Sequence, residues 1–197
     1  MSHRTKIILF IIGVIVIGSG AFAIRGVFSR HRVPEEFRDA RAESVLIAER
    51  IVLLANQSKE DLEDIEREDQ AQRYNVAVRV VENALDRNRK AREAAVGLSI
   101  QLERMTQAIP RVRPAQARLV AVEAVSSELT LVSRLINHND YLFRLLGVLN
   151  EKFSGGGAGV DGRVKDLIAN INGEIQSIND LNMKFADAMV QFDALTR

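Results

Sequence analysis

Proline is almost absent from this chain. Of 197 residues only three are proline, Pro34, Pro110 and Pro114, and the last two lie together in the short segment PRVRP. Because proline inside a helix removes a backbone hydrogen bond and clashes with the preceding turn, its scarcity allows very long helices. No segment shows the sustained alternation of apolar and polar residues that strands require. The sequence therefore predicts an all-α protein.

The most apolar stretch lies near the N-terminus. Residues 7–24, IILFIIGVIVIGSGAFAI, carry no charge and are bracketed by Lys6 and Arg25. A helix of this length extends ~27 Å, close to the ~30 Å hydrocarbon thickness of a bilayer, and both flanking side chains can reach the headgroups. We predict a short tail over 1–6, a transmembrane helix over 7–24 and a basic juxtamembrane linker over 25–33.

Two questions about this segment stay open. Ala21 and Ala23 form an A-x-A site behind a short basic region, so a cleaved signal segment competes with a permanent anchor. Four arginines between residues 25 and 38 favour a cytoplasmic bundle by the positive-inside rule, whereas a short tail before an export-like core favours the outside. Either interpretation takes the chain to a membrane. We expect a single-pass membrane protein with its bundle outside the cytoplasm.

Beyond residue 33 apolar residues recur at spacings of three and four, the period of an amphipathic helix. The spacing predicts a first helix from Pro34 to about Asn56. Ser58 and Asp61 resemble a capping box and predict that a second helix begins there and continues to Ile109. That second helix would contain about fifty residues and extend ~75 Å.

The segment PRVRP is too short for anything but an antiparallel return into a third helix, from Pro114 to Phe153. The polar run 137–140, Asn-His-Asn-Asp, interrupts the stripe of this helix and predicts a kink. Residues 154–162, SGGGAGVDG, have the composition of a flexible connector. The predicted stripe of the third helix consists of Leu119, Val122, Val125, Leu129, Val132, Ile136, Phe143, Leu146, Leu149 and Phe153.

The last helix has the cleanest periodicity, with steps of three and four between residues 164 and 195 and one polar member, Glu174. This pattern predicts lengthwise packing in a bundle or coiled coil. Apolar residues left over beside the stripe, Ile168, Ile175 and Met189, favour burial against another copy. The candidate interaction face consists of Val164, Leu167, Ile171, Ile178, Leu181, Phe185, Phe192 and Leu195.

Residues 34–197 thus predict an elongated antiparallel bundle of three to four long, coiled-coil-like helices. No set of residues for chemistry accompanies it. The chain has no cysteine, which excludes disulfides, thiolate metal sites and thiol nucleophiles. No glutamate precedes any of its three histidines by three residues, as bundle di-metal sites require. The G-x-G-x-x-G string at 157–162 lacks the preceding strand of a dinucleotide site. We predict no enzyme activity, no cofactor and no metal site.

Charge is nearly balanced, with 27 basic and 26 acidic residues and a formal net charge of +1. No global field would attract nucleic acid, which we exclude as a partner. Seven acids lie between Lys59 and Asp69 and are interpreted as the solvated first turns of the second helix. Basic groups at 87–92 and 111–118 are interpreted as partners in ion pairs between helices.

These observations favour a membrane-anchored structural or protein-interaction module. Its expected partners are the lipid bilayer and either further copies of this chain or other helical proteins. The alternative is a ligand-sensing bundle at the membrane, in which the run Asn137–Asp140 forms a polar pocket between helices.

Overall fold

The computed structural model describes residues 32–155 and 159–197. Within these residues the chain forms four α-helices and a short 3-10 helix, Ile109–Arg111, with no strand. The α-helices are α1 (Glu35–Gln70), α2 (Tyr74–Ala108), α3 (Ala115–Phe153) and α4 (Val160–Thr196). They contain 36, 35, 39 and 37 residues, so each extends roughly 50–60 Å. The prediction of an all-α bundle of long helices is confirmed.

Sequential helices pack side by side: α1 on α2, α2 on α3 and α3 on α4. Because short segments join them, each helix runs antiparallel to the one before it. The backbones of α1 and α4 make far fewer close approaches, and side chains complete the bundle between them. The result is an up-down-up-down four-helix bundle.

The predicted helix boundary at residues 56–58 is wrong. Helix α1 continues through it, and the Ser58 hydroxyl donates to the Leu54 carbonyl oxygen within the helix instead of capping a new one. The chain turns at residues 71–73, where Gln72 adopts a left-handed φ of 57°. No proline or glycine lies between residues 35 and 96, so the sequence carries no helix-breaking residue that would predict this turn.

The polar run at residues 137–140 does not end α3, which is a single helix from Ala115 to Phe153. Asn139 stays within the helix by donating its side-chain amide to the Leu135 carbonyl oxygen. The connector between α3 and α4 is shorter than predicted, since α4 begins at Val160. Gly159 precedes it with a φ of 91°, a conformation that costs glycine little.

The predicted stripe of α3 divides between two faces of that helix. Its members Val125, Val132, Leu146, Leu149 and Phe153 are buried. Four other members, Leu119, Val122, Leu129 and Phe143, are exposed, whereas several core positions, such as Leu131 and Leu135, were not predicted. Because α3 is apolar around more than half of its circumference, two overlapping stripes of similar period fit its sequence.

One end of the bundle gathers the N-terminal part of the described chain, the α2–α3 turn and the C-terminus; we call it the N-terminal end. There the Arg113 backbone amide donates to the Arg32 carbonyl oxygen at 2.8 Å, and the Arg32 guanidinium donates to the Arg197 carbonyl oxygen at 2.8 Å. Arg111 pairs with Glu36 at 3.1 Å. The chain therefore enters the bundle at this end.

Candidate functional site

The candidate interaction face on α4 lies inside the bundle. Five of its residues, Val164, Ile171, Ile178, Phe185 and Phe192, are buried, and the other three, Leu167, Leu181 and Leu195, are half-buried against the core. Ile168, Ile175 and Met189, the residues expected to meet another copy, are buried as well. This face is occupied within the chain, so a surface for partners has to be sought elsewhere.

A buried ion pair closes the bundle between α1 and α4 near the N-terminal end. The Arg41 guanidinium donates to both carboxylate oxygens of Asp193, at 2.6 and 3.0 Å. Beside it the rings of Phe37 and Phe192 stack with centroids 5.2 Å apart. Both charged residues occupy positions of the core-facing stripes, and that placement is the signal by which the sequence could have revealed the pair.

Polar contacts cross the middle of the bundle between successive helices. Arg87 of α2 pairs with Asp61 of α1, and this contact raises the pKa of the guanidinium further. The Asn88 side chain donates to the backbone oxygen and the side-chain oxygen of Asn139 in α3, at 3.1 and 3.2 Å. These contacts fix the register of α2 against both of its neighbours.

Two further ion pairs lie at the rim of this polar region: Arg92 with Asp140 at 2.9 Å and Arg134 with Glu174 at 3.5 Å. Arg87, Arg92 and Arg111 thus pair with acids of other helices, as predicted, whereas Lys90 pairs with Asp86 of its own helix at 2.6 Å. The acidic run of residues 60–69 lies in the last third of α1, where the helix dipole disfavours it. Cations compensate for this, since Arg73 pairs with Glu68 at 2.6 Å and Lys152 with Asp69 at 2.6 Å.

Glu128 is the most unusual titratable residue in the described part of the chain. It lies in α3, is 3% exposed, and its Oε2 atom has no hydrogen-bond partner. Burial raises the pKa of this carboxyl from 4.5 to about 8, so that it carries a proton at neutral pH. Sequence reasoning missed Glu128 because the predicted core stripe of α3 included the adjacent Leu129, which is in fact exposed, and so placed Glu128 outside the core.

His138 is buried in the same helix, and burial lowers the pKa of its imidazole from 6.5 to about 4. It is therefore neutral in the folded protein under most conditions. The predicted polar run thus lies partly inside the bundle: His138 and Asn139 are buried, and both the oxygen and the nitrogen of the Asn139 amide are engaged.

We expect His138 to make the fold sensitive to acid. Above pH 6.5 the imidazole is neutral in both states; below it, only the unfolded chain gains the proton until the pH reaches about 4. This term lowers the free energy of unfolding by roughly 3 kcal/mol across that range. In His138→Leu the decrease in the free energy of unfolding between pH 6.5 and pH 4 should be smaller by that amount. Urea unfolding at several pH values measures this difference. Asn137→Leu, an exposed neighbour, is the control and should follow the wild type.

An open cleft of about 350 Å³ lies at the other end of the bundle, beside the α1–α2 turn, and is lined by residues 72–76. Near it the rings of Tyr74 and Phe153 stack with centroids 6.0 Å apart, and the Lys152 ammonium lies 5.6 Å from the Phe153 ring centroid. In residues 32–155 and 159–197 no group of three or more His, Asp or Glu side chains could hold a metal ion.

The outer face of α3 carries the largest set of exposed apolar side chains. Leu119 is 72% exposed and Phe143 59% exposed, and Val122 and Leu129 lie on the same side of the helix. Exposed apolar residues also occur in pairs on the other helices: Leu46 and Leu53, Val96 and Ile100, and Met183 and Val190. The four residues of α3 are the strongest candidate for a surface that contacts a partner.

None of the helices in the described ranges is long and apolar enough to cross a bilayer. The predicted span 7–24 and its flanking residues Lys6 and Arg25 lie outside those ranges. Comparison of the chain with family models, with curated proteins and with solved structures gives no match.

Proposed function

We propose that this chain is a membrane-anchored helical bundle that acts as a structural or protein-interaction module without catalytic activity. The observation that carries the proposal is the apolar outer face of α3, on a bundle whose core is already filled. Apolar side chains in water gain free energy when a partner covers them, and a sustained row of them marks a surface for association.

The membrane part of the proposal depends on the sequence of residues 7–24. The described chain enters the bundle at the N-terminal end, so the anchor would attach there through the basic linker 25–33. Arg111 and Arg113, both exposed at that end, would then lie near lipid headgroups. In this arrangement the bundle stands outside the cytoplasm and presents its helices to other proteins.

The ligand-sensing alternative stays second. It needs an open polar pocket at Asn137–Asp140, and two of those residues are buried in side-chain and backbone contacts. The cleft beside the α1–α2 turn is lined by the five consecutive residues 72–76. A ligand site usually has polar groups that converge from several elements, and this cleft does not have them.

Two charges placed in the apolar stretch test the anchor. The double variant Val14→Arg/Val16→Arg should move the full chain from the membrane pellet to the soluble fraction after alkaline extraction. Each arginine at the centre of a span costs about 2.5–3.5 kcal/mol of insertion free energy. Val190→Arg, at an exposed position of α4, should remain in the pellet. Extraction of the wild-type chain, or retention of the double variant, would contradict the anchor.

A further inference from the structure

We infer that α3 is a self-association surface, and that it packs antiparallel against α3 of a second copy of this chain. This inference rests on the proposed function as an interaction module and names the partner. Its first basis is a row of apolar residues at intervals of seven, Val122, Leu129, Ile136 and Phe143, which we call the α3 stripe. All are exposed except Ile136, which is half-buried.

A strict interval of seven keeps a row of side chains facing a partner helix over several turns. From Val122 to Phe143 the row is ~32 Å long. The other helices of the bundle each expose two large apolar residues in the described chain, so no comparable row competes with it there.

The second basis is the size of the residues beside the stripe. Ser126, Ser133 and Gly147 lie on the outer surface of α3, one helical turn from the stripe residues, and small side chains allow two helices to approach closely. A Cβ atom added to Gly147 would meet nothing within 4 Å, so the surface beside it is open. If the two-fold axis of an antiparallel pair passes through Ser133, the exposed Leu119 of one copy lies opposite Gly147 of the other.

A two-fold axis within half a residue of Ser133, ~0.8 Å along the helix, brings the stripe into register with itself. Val122 then lies opposite Phe143, and Leu129 lies opposite Ile136, so that each residue of the stripe faces another residue of the stripe. A two-fold symmetric interface must be self-complementary in this way, because each residue pair occurs twice.

The third basis is charge. Glu123 and Arg144 flank the stripe on the same side of α3; both are exposed, and neither forms an ion pair within the described residues. Antiparallel helices bring positions on the same side of their stripes together, so Glu123 of each copy lies opposite Arg144 of the other. A parallel pair leaves these two charges apart. The charges therefore favour the antiparallel arrangement.

The arrangement places the two N-terminal ends at opposite ends of the pair, roughly 50 Å apart. Two copies anchored in one bilayer would consequently lie along its surface, with the basic linkers 25–33 joining them to their spans.

Charge reversal tests the pairing in the full chain, held in mild detergent and studied by sedimentation velocity. The wild type should dimerise, and Glu123→Arg or Arg144→Glu alone should raise the dissociation constant about tenfold, since each puts like charges together at two symmetric sites. The double variant Glu123→Arg/Arg144→Glu should restore the wild-type value. Phe143→Glu should abolish the dimer, whereas Val190→Glu, at a position of α4 that is 51% exposed, should leave it intact. A monomeric wild type, or a double variant no better than the single ones, would overturn the inference.

Cysteine cross-linking in membranes tests the direction, and the chain has no native cysteine to interfere. Ser133→Cys should form a disulfide-linked dimer because it lies on the two-fold axis. Ser126→Cys should not, since its two copies would lie ~20 Å apart, beyond disulfide reach. Cross-linking of Ser126→Cys would indicate a parallel pair and contradict the inference. A chain that stays in the membrane pellet without any cross-link would refute the dimer while leaving the proposed function standing.

Discussion

Asp193→Ala should lower the free energy of unfolding by about 3–5 kcal/mol. The side chains of Asp193 and Arg41 are 3% and 7% exposed, and two hydrogen bonds join their charged groups. Removing the acid leaves a buried cation without its counter-charge at the place where α1 meets α4. Urea unfolding of the full chain in mild detergent, followed by helical circular dichroism, measures the loss.

Asp187→Ala is the matched control, because Asp187 is an exposed acid in the same helix and its loss should cost at most about 0.5 kcal/mol. The double variant Arg41→Met/Asp193→Leu should recover most of the stability, since apolar side chains of similar volume can replace a buried ion pair. If Asp193→Ala were no more harmful than Asp187→Ala, the pair would not hold α4 to α1.

Glu128→Gln should stabilise the protein increasingly as the pH rises. In the wild type the folded state keeps the carboxyl proton up to pH 8, whereas the unfolded chain loses it near pH 4.5. The folded state binds more protons over this range, so the stability that the protonated carboxyl provides is lost as the pH rises. The stability difference between variant and wild type should grow by roughly 4–5 kcal/mol between pH 4.5 and pH 8.

His138 acts in the opposite direction, since its contribution grows with rising pH between about 4 and 6.5. The two effects nearly cancel from pH 4.5 to 6.5, and we expect the wild type to be most stable there. It should then lose roughly 2 kcal/mol by pH 8. Glu93→Gln, which removes an exposed acid from α2, should show the wild-type profile. A Glu128→Gln profile parallel to the wild type would place the carboxyl in water instead of in the core.

The helical nature of the chain and a range of three to four long helices were predictable because period and proline content determine them. The α1–α2 turn was not, because Ala71, Gln72 and Arg73 carry no local signal and tertiary packing decides where the helix ends. Ser58 and Asp61 form a sequence motif for helix initiation, yet both are needed elsewhere, one bonded to Leu54 and the other to Arg87.

The predicted interaction face on α4 illustrates a second limit. A clean apolar stripe shows that a helix face is covered but does not show what covers it, and here its own bundle does. On α3 the reverse occurred: Leu119, Val122, Leu129 and Phe143 fitted the predicted core stripe yet point outward. The core face of α3 is the one that contains Glu128 and His138. A sequence pattern assigns both of these polar residues to the surface, so it selects the wrong face.

The most direct test of a membrane-anchored bundle combines protease protection in intact cells with the intact mass of the membrane-extracted chain. We expect a full-length mass of 21.9 kDa in the membrane fraction and cleavage of the bundle by protease added outside. A mass lacking residues 1–23 would establish a cleaved signal segment and contradict the anchor. Recovery of the chain in the soluble fraction, or full protection of the bundle from external protease, would contradict the account.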